Sequence, residues 1–285
     1  FTEPEDRPRY QPANFKEILL KYWEYAQQHH KGASVEQIVI KALCREKWVK
    51  KPLPVVCRAD ITEFRDRRLL SVKPDTFKRQ LNIIRSAARM ASEEWGWESS
   101  IEVFQNIRLP NQDERQVRRI TPGIEERLLT GTQGGRSPFM KPLIILALET
   151  GMRRGELLRL KHEDWDIRSG LISIKETKNG KNRVIPASNR ARQTLCKLAQ
   201  NNTHSLIPLS GNAVNLSFQR LKRRTGFNWL RFHDFRHEAI SRWFEIGLNI
   251  PEIRKLSGHS DVAMLMLYSG PEMNKTRNQI QNVRA

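Results

Sequence analysis

From Asn14 onward, apolar residues recur at helical spacing. In NFKEILLKYWEYAQQHH, Phe15, Ile18, Leu19, Tyr22 and Trp23 share one face, with Asn14 placed to cap the helix. SVEQIVIKALCREKWV repeats the pattern, with Ser34 as cap and Val35, Ile38, Val39, Ala42 and Leu43 as the inward stripe. ADITEFRDRRLL predicts a shorter helix capped by Asp60, and KPDTFKRQLNIIRSAARMASEEWG a longer one with Phe77, Leu81, Ile84 and Ala88 inward. Four helices without a clear strand over 14–107 predict a small all-α domain, preceded by a polar, proline-bearing tail at 1–13.

The period is then lost. NIRLPNQDERQVRRI is charged and holds a proline, so a linker is expected over 108–120. A second domain is expected over 121–270. Thr121 and Pro122 mark a helix start, RSPFMKPLIILALETG reads as a buried helix, and RRGELLRLKHEDWDI reads as another. In LISIKETKNGKNRVIP two alternating runs flank Asn179-Gly180, a pair favoured in tight hairpin turns. After Pro186 the pattern is helical, broken at NNTHSLIPLSG, at Gly226 and at 247–249. Residues 271–285 form a polar tail. The fold class expected is mainly α: a four-helix first domain and an α+β second domain with a small sheet or hairpin.

Charge changes the picture. The 285 residues carry a net charge of +19 and a pI near 10.3, far beyond what solubility needs. A polyanionic partner is expected, nucleic acid first and an anionic membrane surface second. The longest apolar stretch, PLIILAL, is too short to span a bilayer. Cys44, Cys57 and Cys196 are scattered and form no metal or disulfide pattern, as expected of reduced thiols in a cytosolic protein. The chain begins at Phe1 without an apolar leader, and it reads as a fragment or a processed form.

Six polar residues form a candidate chemical set. Arg153 sits at a helix break in ETGMRRGELLRL, and Lys178 sits beside the hairpin turn, flanked by Lys175 and Lys181. His233 and Arg236 are three apart in FHDFRHEAI, so they share a helix face. His259 follows Gly258, and Tyr268 follows nine residues later. Each alone has an ordinary structural reading: a bracing arginine, a solvated lysine, a core tyrosine. Together they describe metal-free phosphoryl transfer. Two arginines clamp phosphate oxygens, histidines donate to them or move protons, a lysine protonates a leaving oxygen, and a phenol attacks phosphorus. His233 and His237 have the spacing of zinc ligands, but no HExxH surrounds them, so a metal is not expected. Glu156 is expected to brace the Arg153 turn.

The ordered set TGMRRGELLRL, TKNGKNRVIP, HDFRHEAI and SGHSDVAMLMLY resembles the tyrosine recombinases of the phage-integrase family, over about 121–268. Within that family HDFRHEAISRWFEIG looks most like the shufflon-type DNA invertases. The resemblance implies a SAM-like core-binding domain ahead of the catalytic domain. It implies Arg153, Lys178, His233, Arg236 and His259 around a phosphate, with Tyr268 as the nucleophile. It also implies a 3′-phosphotyrosine and a Holliday-junction intermediate, four protomers on two duplex DNA sites, accessory DNA-bending proteins, no cofactor, and a place in the bacterial cytoplasm or nucleoid. The sequence departs from the family pattern at Ser257 and Phe235, where leucine is usual, at Met264 and Leu265, and at Ser269-Gly270 after the tyrosine.

A further set of residues, basic apart from Asn82, are candidate DNA contacts, with solvated surface as the plain alternative. They are the stripe Lys78, Arg79, Asn82, Arg85 and Arg89, the linker residues Arg118 and Arg119, then Arg154, Lys181, Arg183, Lys222, Arg223 and Arg224. The expected arrangement is a duplex clamped between the two domains, with the 271–285 tail docking on a neighbouring protomer. Three other functions are weighed. A type IB topoisomerase would use the same residues without a second site. A non-catalytic DNA-binding regulator would explain the charge but not the ordered set. A membrane-surface protein would need a strongly amphipathic basic helix, and none stands out.

Overall fold

The structure is a computed structural model that describes residues 10–30, 32–97, 99, 101–110, 118–175, 182–200, 205–266 and 268. The chain forms two compact units, Phe1–Glu114 and Arg115–Ala285.

The first unit holds helices α1 (Phe15–His29), α2 (Ala33–Leu43), α3 (Arg58–Leu69) and α4 (Pro74–Glu93). Asn14 caps α1, accepting from the Glu17 N–H as its position predicts. Phe15, Ile18 and Leu19 of α1 meet Phe77, Leu81, Ile84 and Ala88 of α4 in a core that includes Trp48, Phe64 and Phe104. Two details differ from expectation. The α2 cap is Gly32, not Ser34, and Val35 and Ile38 are 66% and 70% exposed while Ile40 and Leu43 turn inward. This helix is apolar on several sides, so periodicity alone could not choose its buried face. Helix α3 begins a turn earlier than expected. Cys57 is its cap, and Asp60 is the third helical residue, reaching back to the Cys57 N–H.

The second unit is built around α6 (Met140–Thr150), whose Leu143, Ile144, Leu146, Ala147 and Leu148 are all buried. It packs against α8 (Asn189–Ala199), α9 (Gly211–Thr225) and α10 (Asp234–Glu245). Helix α5 (Pro122–Gly131) is capped by Thr121 as predicted. Helix α7 covers only Arg154–Arg159. Leu160 turns extended, its carbonyl accepts from the Leu206 N–H, and a short 3-10 turn leads into β1 (Trp165–Asp166). The expected hairpin is present as antiparallel β2 (Leu171–Ile174) and β3 (Arg183–Pro186), with β1 beside β2 completing a three-stranded sheet. The Asn179-Gly180 turn lies outside the described residues. Helices α11 (Ile250–Ser257) and α12 (Ala263–Met266) follow.

Candidate active site

Two helix ends build the site. Helix α6 stops at Gly151 (φ +59), and α11 stops at Gly258 (φ +68). A side chain at either is strained by the left-handed backbone. Space is short as well: a Cβ on Gly151 would meet Trp243 Cη2 at 2.7 Å, and one on Gly258 would meet Arg183 Cδ at 3.1 Å. The carbonyls left free at these ends carry the partial negative charge of a helix C-terminus and hold arginines.

Arg236, on the first turn of α10, is 2% exposed. Its Nη1 donates to the Gly151 carbonyl at 2.6 Å and its Nη2 to the Ser257 carbonyl at 2.7 Å. Arg153 precedes α7. Its Nη1 donates to Glu156 Oε1 at 3.0 Å, and its backbone N–H donates to Oε2 at 2.8 Å. Its Nη2 lies 3.5 Å from the Gly258 carbonyl oxygen. His259 follows that glycine, with Nε2 3.5 Å from Arg236 Nη2 and Nδ1 2.8 Å from Ser257 Oγ. Two cations and an imidazole therefore converge beside the C-terminus of α11.

His233 stands at the N-cap of α10, one turn ahead of His237, their rings 4.8 Å apart and edge-on. His237 Nδ1 contacts the Tyr268 hydroxyl, and the two rings stack at 5.3 Å. Tyr268 packs on the cluster of Ile240, Trp243, Ile253 and Leu265. Leu265, one of the departures, is fully buried and anchors this segment, whereas Met264 points outward. Phe235, another departure, fills the core against Phe218 and Phe232.

The electrostatics follow from crowded cations. Desolvation, then Arg236 and Arg153, push His259 down to about 4. His233 is also pushed to about 4, by desolvation, then by His237, Arg236 and Arg153. Solvent reaches His233, which weakens both the burial penalty and the pull of the neighbouring charges there. Both rings are neutral at neutral pH. Burial and the Arg153 charge lower Arg236 to about 9, so it remains a cation. Burial raises Tyr268, and the Arg236 charge opposes that rise. For Glu156 burial works upward, but Arg183 and Arg153 outweigh it and hold the carboxyl at about 2.

The structure thus gathers Arg153, His233, Arg236, His259 and Tyr268 on adjoining elements, and Glu156 braces Arg153 as expected. Lys178 and Lys181 lie outside the described residues. Lys175 is paired with Asp164 at 3.1 Å.

Arg183 is not a surface residue. It is buried, donates through Nη1 and Nη2 to Glu156 at 3.0 and 2.7 Å, and through Nε to the Leu256 carbonyl at 2.8 Å. It belongs to the frame that joins α7, β3 and α11. Arg119 is engaged by Glu238 and Glu245, Arg224 by the carbonyls of Gly131 and Gly134, and Arg85 by the Phe104 carbonyl. Lys78, Arg79, Asn82, Arg89, Arg118 and Arg223 are exposed. Arg154 and Lys222 line a cleft of about 460 Å³ with His233 and Arg236. Sequence reasoning missed Arg183's place, although strand alternation puts it in phase with buried Ile172 and Ile185 across the register. It also missed the Ser257 side chain and both carbonyls that hold Arg236; His237, read as a structural hydrogen-bonder, has the Tyr268 hydroxyl as its partner.

Among the described residues no group of three His, Cys, Asp or Glu is placed to hold a metal ion, and no helix is long and apolar enough to cross a membrane.

Residues 114–275, more than half of the chain, match the phage integrase family. A shufflon-specific DNA recombinase of Escherichia coli is 31% identical over 98% of this chain and 76% of its own length. Among solved structures, the Tn1549 transposon integrase with a circular intermediate DNA covers 93% of this chain and 99% of its own, at 17% identity and a TM-score of 0.78. A lambda integrase tetramer bound to a Holliday junction covers 88% and 78%, at 19% identity and 0.72. The chain belongs to the phage integrase family, on the shufflon-type branch. It is a tyrosine-type site-specific recombinase, and DNA is its partner.

Proposed function

We propose that the chain cuts and rejoins DNA through a phosphotyrosine on Tyr268. The observation that carries this reading is the convergence of Arg153, Arg236 and His259 at the end of α11, with Tyr268 docked on the helix that bears Arg236. Arg153 and Arg236 neutralise the non-bridging oxygens of the scissile phosphate. His259 and His233, neutral at working pH, donate N–H groups to the same oxygens. The Tyr268 oxygen bonds to phosphorus and gives up its proton to solvent water, and the bond to the 5′ oxygen breaks. Lys178 supplies the proton to that 5′ oxygen. In the return step a partner strand's 5′ hydroxyl returns a proton to Lys178 as it attacks the phosphotyrosine, the Tyr268–phosphorus bond breaks, and Tyr268 takes up a proton from solvent water. The ester conserves the bond energy, so the cycle needs neither ATP nor a metal.

The DNA grip is assigned to Arg154, Lys222 and Arg223 in the second unit and to Lys78, Arg79, Asn82 and Arg89 in the first. Four copies act on two sites through a Holliday junction; the 271–285 tail, expected to dock on a neighbouring copy, lies outside the described residues. The junction-bound tetramer of the lambda relative supports the four-copy part. The shufflon-specific relative makes inversion the reaction to test first.

The test is a plasmid carrying two copies of DNA flanking the gene, in inverted orientation. Segment inversion, absent with Tyr268→Phe, is expected. Supercoil relaxation without inversion would favour a topoisomerase.

A further inference from the structure

Ser257 stands where leucine is usual before the Gly-His pair, and it is completely buried. A buried hydroxyl needs an acceptor for its proton, because an unmade hydrogen bond there is costly. The buried hydroxyls of Thr150 and Thr225 follow the ordinary course and donate to carbonyls one turn back, those of Leu146 and Leu221. Ser257 does not. Among the described residues its partner is His259 Nδ1, at 2.8 Å.

The accounting then fixes the ring. If the Ser257 hydroxyl donates to Nδ1, that nitrogen is the acceptor and the neutral imidazole carries its proton on Nε2. Nε2 is the nitrogen turned toward Arg236 Nη2, 3.5 Å away. With a proton on each, the two nitrogens do not bond each other. They are two donors side by side, aimed at one shared acceptor. The groups whose charge acts most on the ring are, largest first, Arg236, Arg153, His233 and His237. Among the described residues the hydrogen-bond partner of Nδ1 is the Ser257 hydroxyl and not a carboxylate.

We propose that Ser257 is a positioning residue that sets His259 in its Nε2–H form, presenting a donor beside Arg236 to a phosphate oxygen. The phosphate part rests on the proposed DNA-cleaving function; the tautomer does not.

The test is long-range proton–nitrogen correlation NMR on the free, histidine-labelled protein at neutral pH, followed by adduct kinetics on nicked DNA. His259 is expected to show a protonated Nε2 and a bare Nδ1. Ser257→Ala should mix or reverse the tautomers and slow adduct formation about tenfold at unchanged DNA affinity. Ser257→Thr, which keeps the hydroxyl, should restore both. A proton on Nδ1 in the wild-type protein, or a tautomer and rate indifferent to Ser257→Ala, would overturn the proposal. An Nε2–H ring in a wild-type protein that forms no adduct would uphold the tautomer and count against the cleavage reading.

Discussion

Arg183 and Glu156 form a buried bidentate pair, with both guanidinium Nη atoms on both carboxylate oxygens at 3.0 and 2.7 Å. Through it β3 is tied to α7, and Glu156 goes on to hold Arg153. Removing one partner strands a buried charge. Glu156→Ala is expected to cost about 3 kcal/mol in urea unfolding, and to lower adduct formation as well, because Arg153 loses its brace. Retained stability would show that the pair is dispensable.

The same carboxylate sets an acid limit. Its folded pKa of about 2 is depressed below the ordinary 4.5, so its contribution is fully present above pH 4.5. That contribution is lost as pH falls toward about 2. Glu156→Gln should flatten the stability profile in that window and nowhere else.

The histidines act in a different window. His259 and His233 fall from 6.5 to about 4 in the folded chain, so the unfolded chain takes up protons first. Stability is unaffected above pH 6.5 and declines as pH falls from there toward about 4. NMR titration should find both rings neutral at pH 6, and a bound phosphate should shift both pKa values upward. Ordinary titration near 6.5 with the cleft empty would contradict the crowding of cations described for this site.

His237 holds the Tyr268 hydroxyl and stacks on its ring. His237→Ala should keep the fold and DNA affinity but slow adduct formation about tenfold, the loss of one half-buried hydrogen bond. An unchanged rate would mean that apolar packing alone places the nucleophile.

Gly151 combines a left-handed backbone with a Cβ path blocked by Trp243, and its carbonyl anchors Arg236. Gly151→Ala is expected to destabilise by about 2 kcal/mol or more. A melting temperature equal to that of the wild type would refute this.

Much of this was legible in the sequence, for local reasons. The caps at Asn14 and Thr121, the inward face of α4 and the alternation of the hairpin each follow from the chain's own period. Arg153, His233, Arg236, His259 and Tyr268 could be picked out as one candidate set because their order along the chain suggests a chemistry, and the fold brings them onto adjoining elements. What escaped was non-local or lay in the backbone. Helix α7 ends early because Leu160 pairs with Leu206, which no window around residue 160 contains. The carbonyls of Gly151 and Ser257 have no side-chain signature, yet they hold Arg236. Arg183 was counted with the surface charge because composition registers an arginine as a cation, whereas strand phase turns it inward.

The most direct test of the central claim is covalent trapping. The protein is incubated with EDTA and nicked duplexes tiled across DNA flanking its gene, and SDS-resistant adducts are mapped by mass spectrometry. The account predicts a DNA adduct on Tyr268 that forms without divalent metal and is absent from Tyr268→Phe. An adduct on another residue, a requirement for metal, or tight binding without any adduct would contradict it.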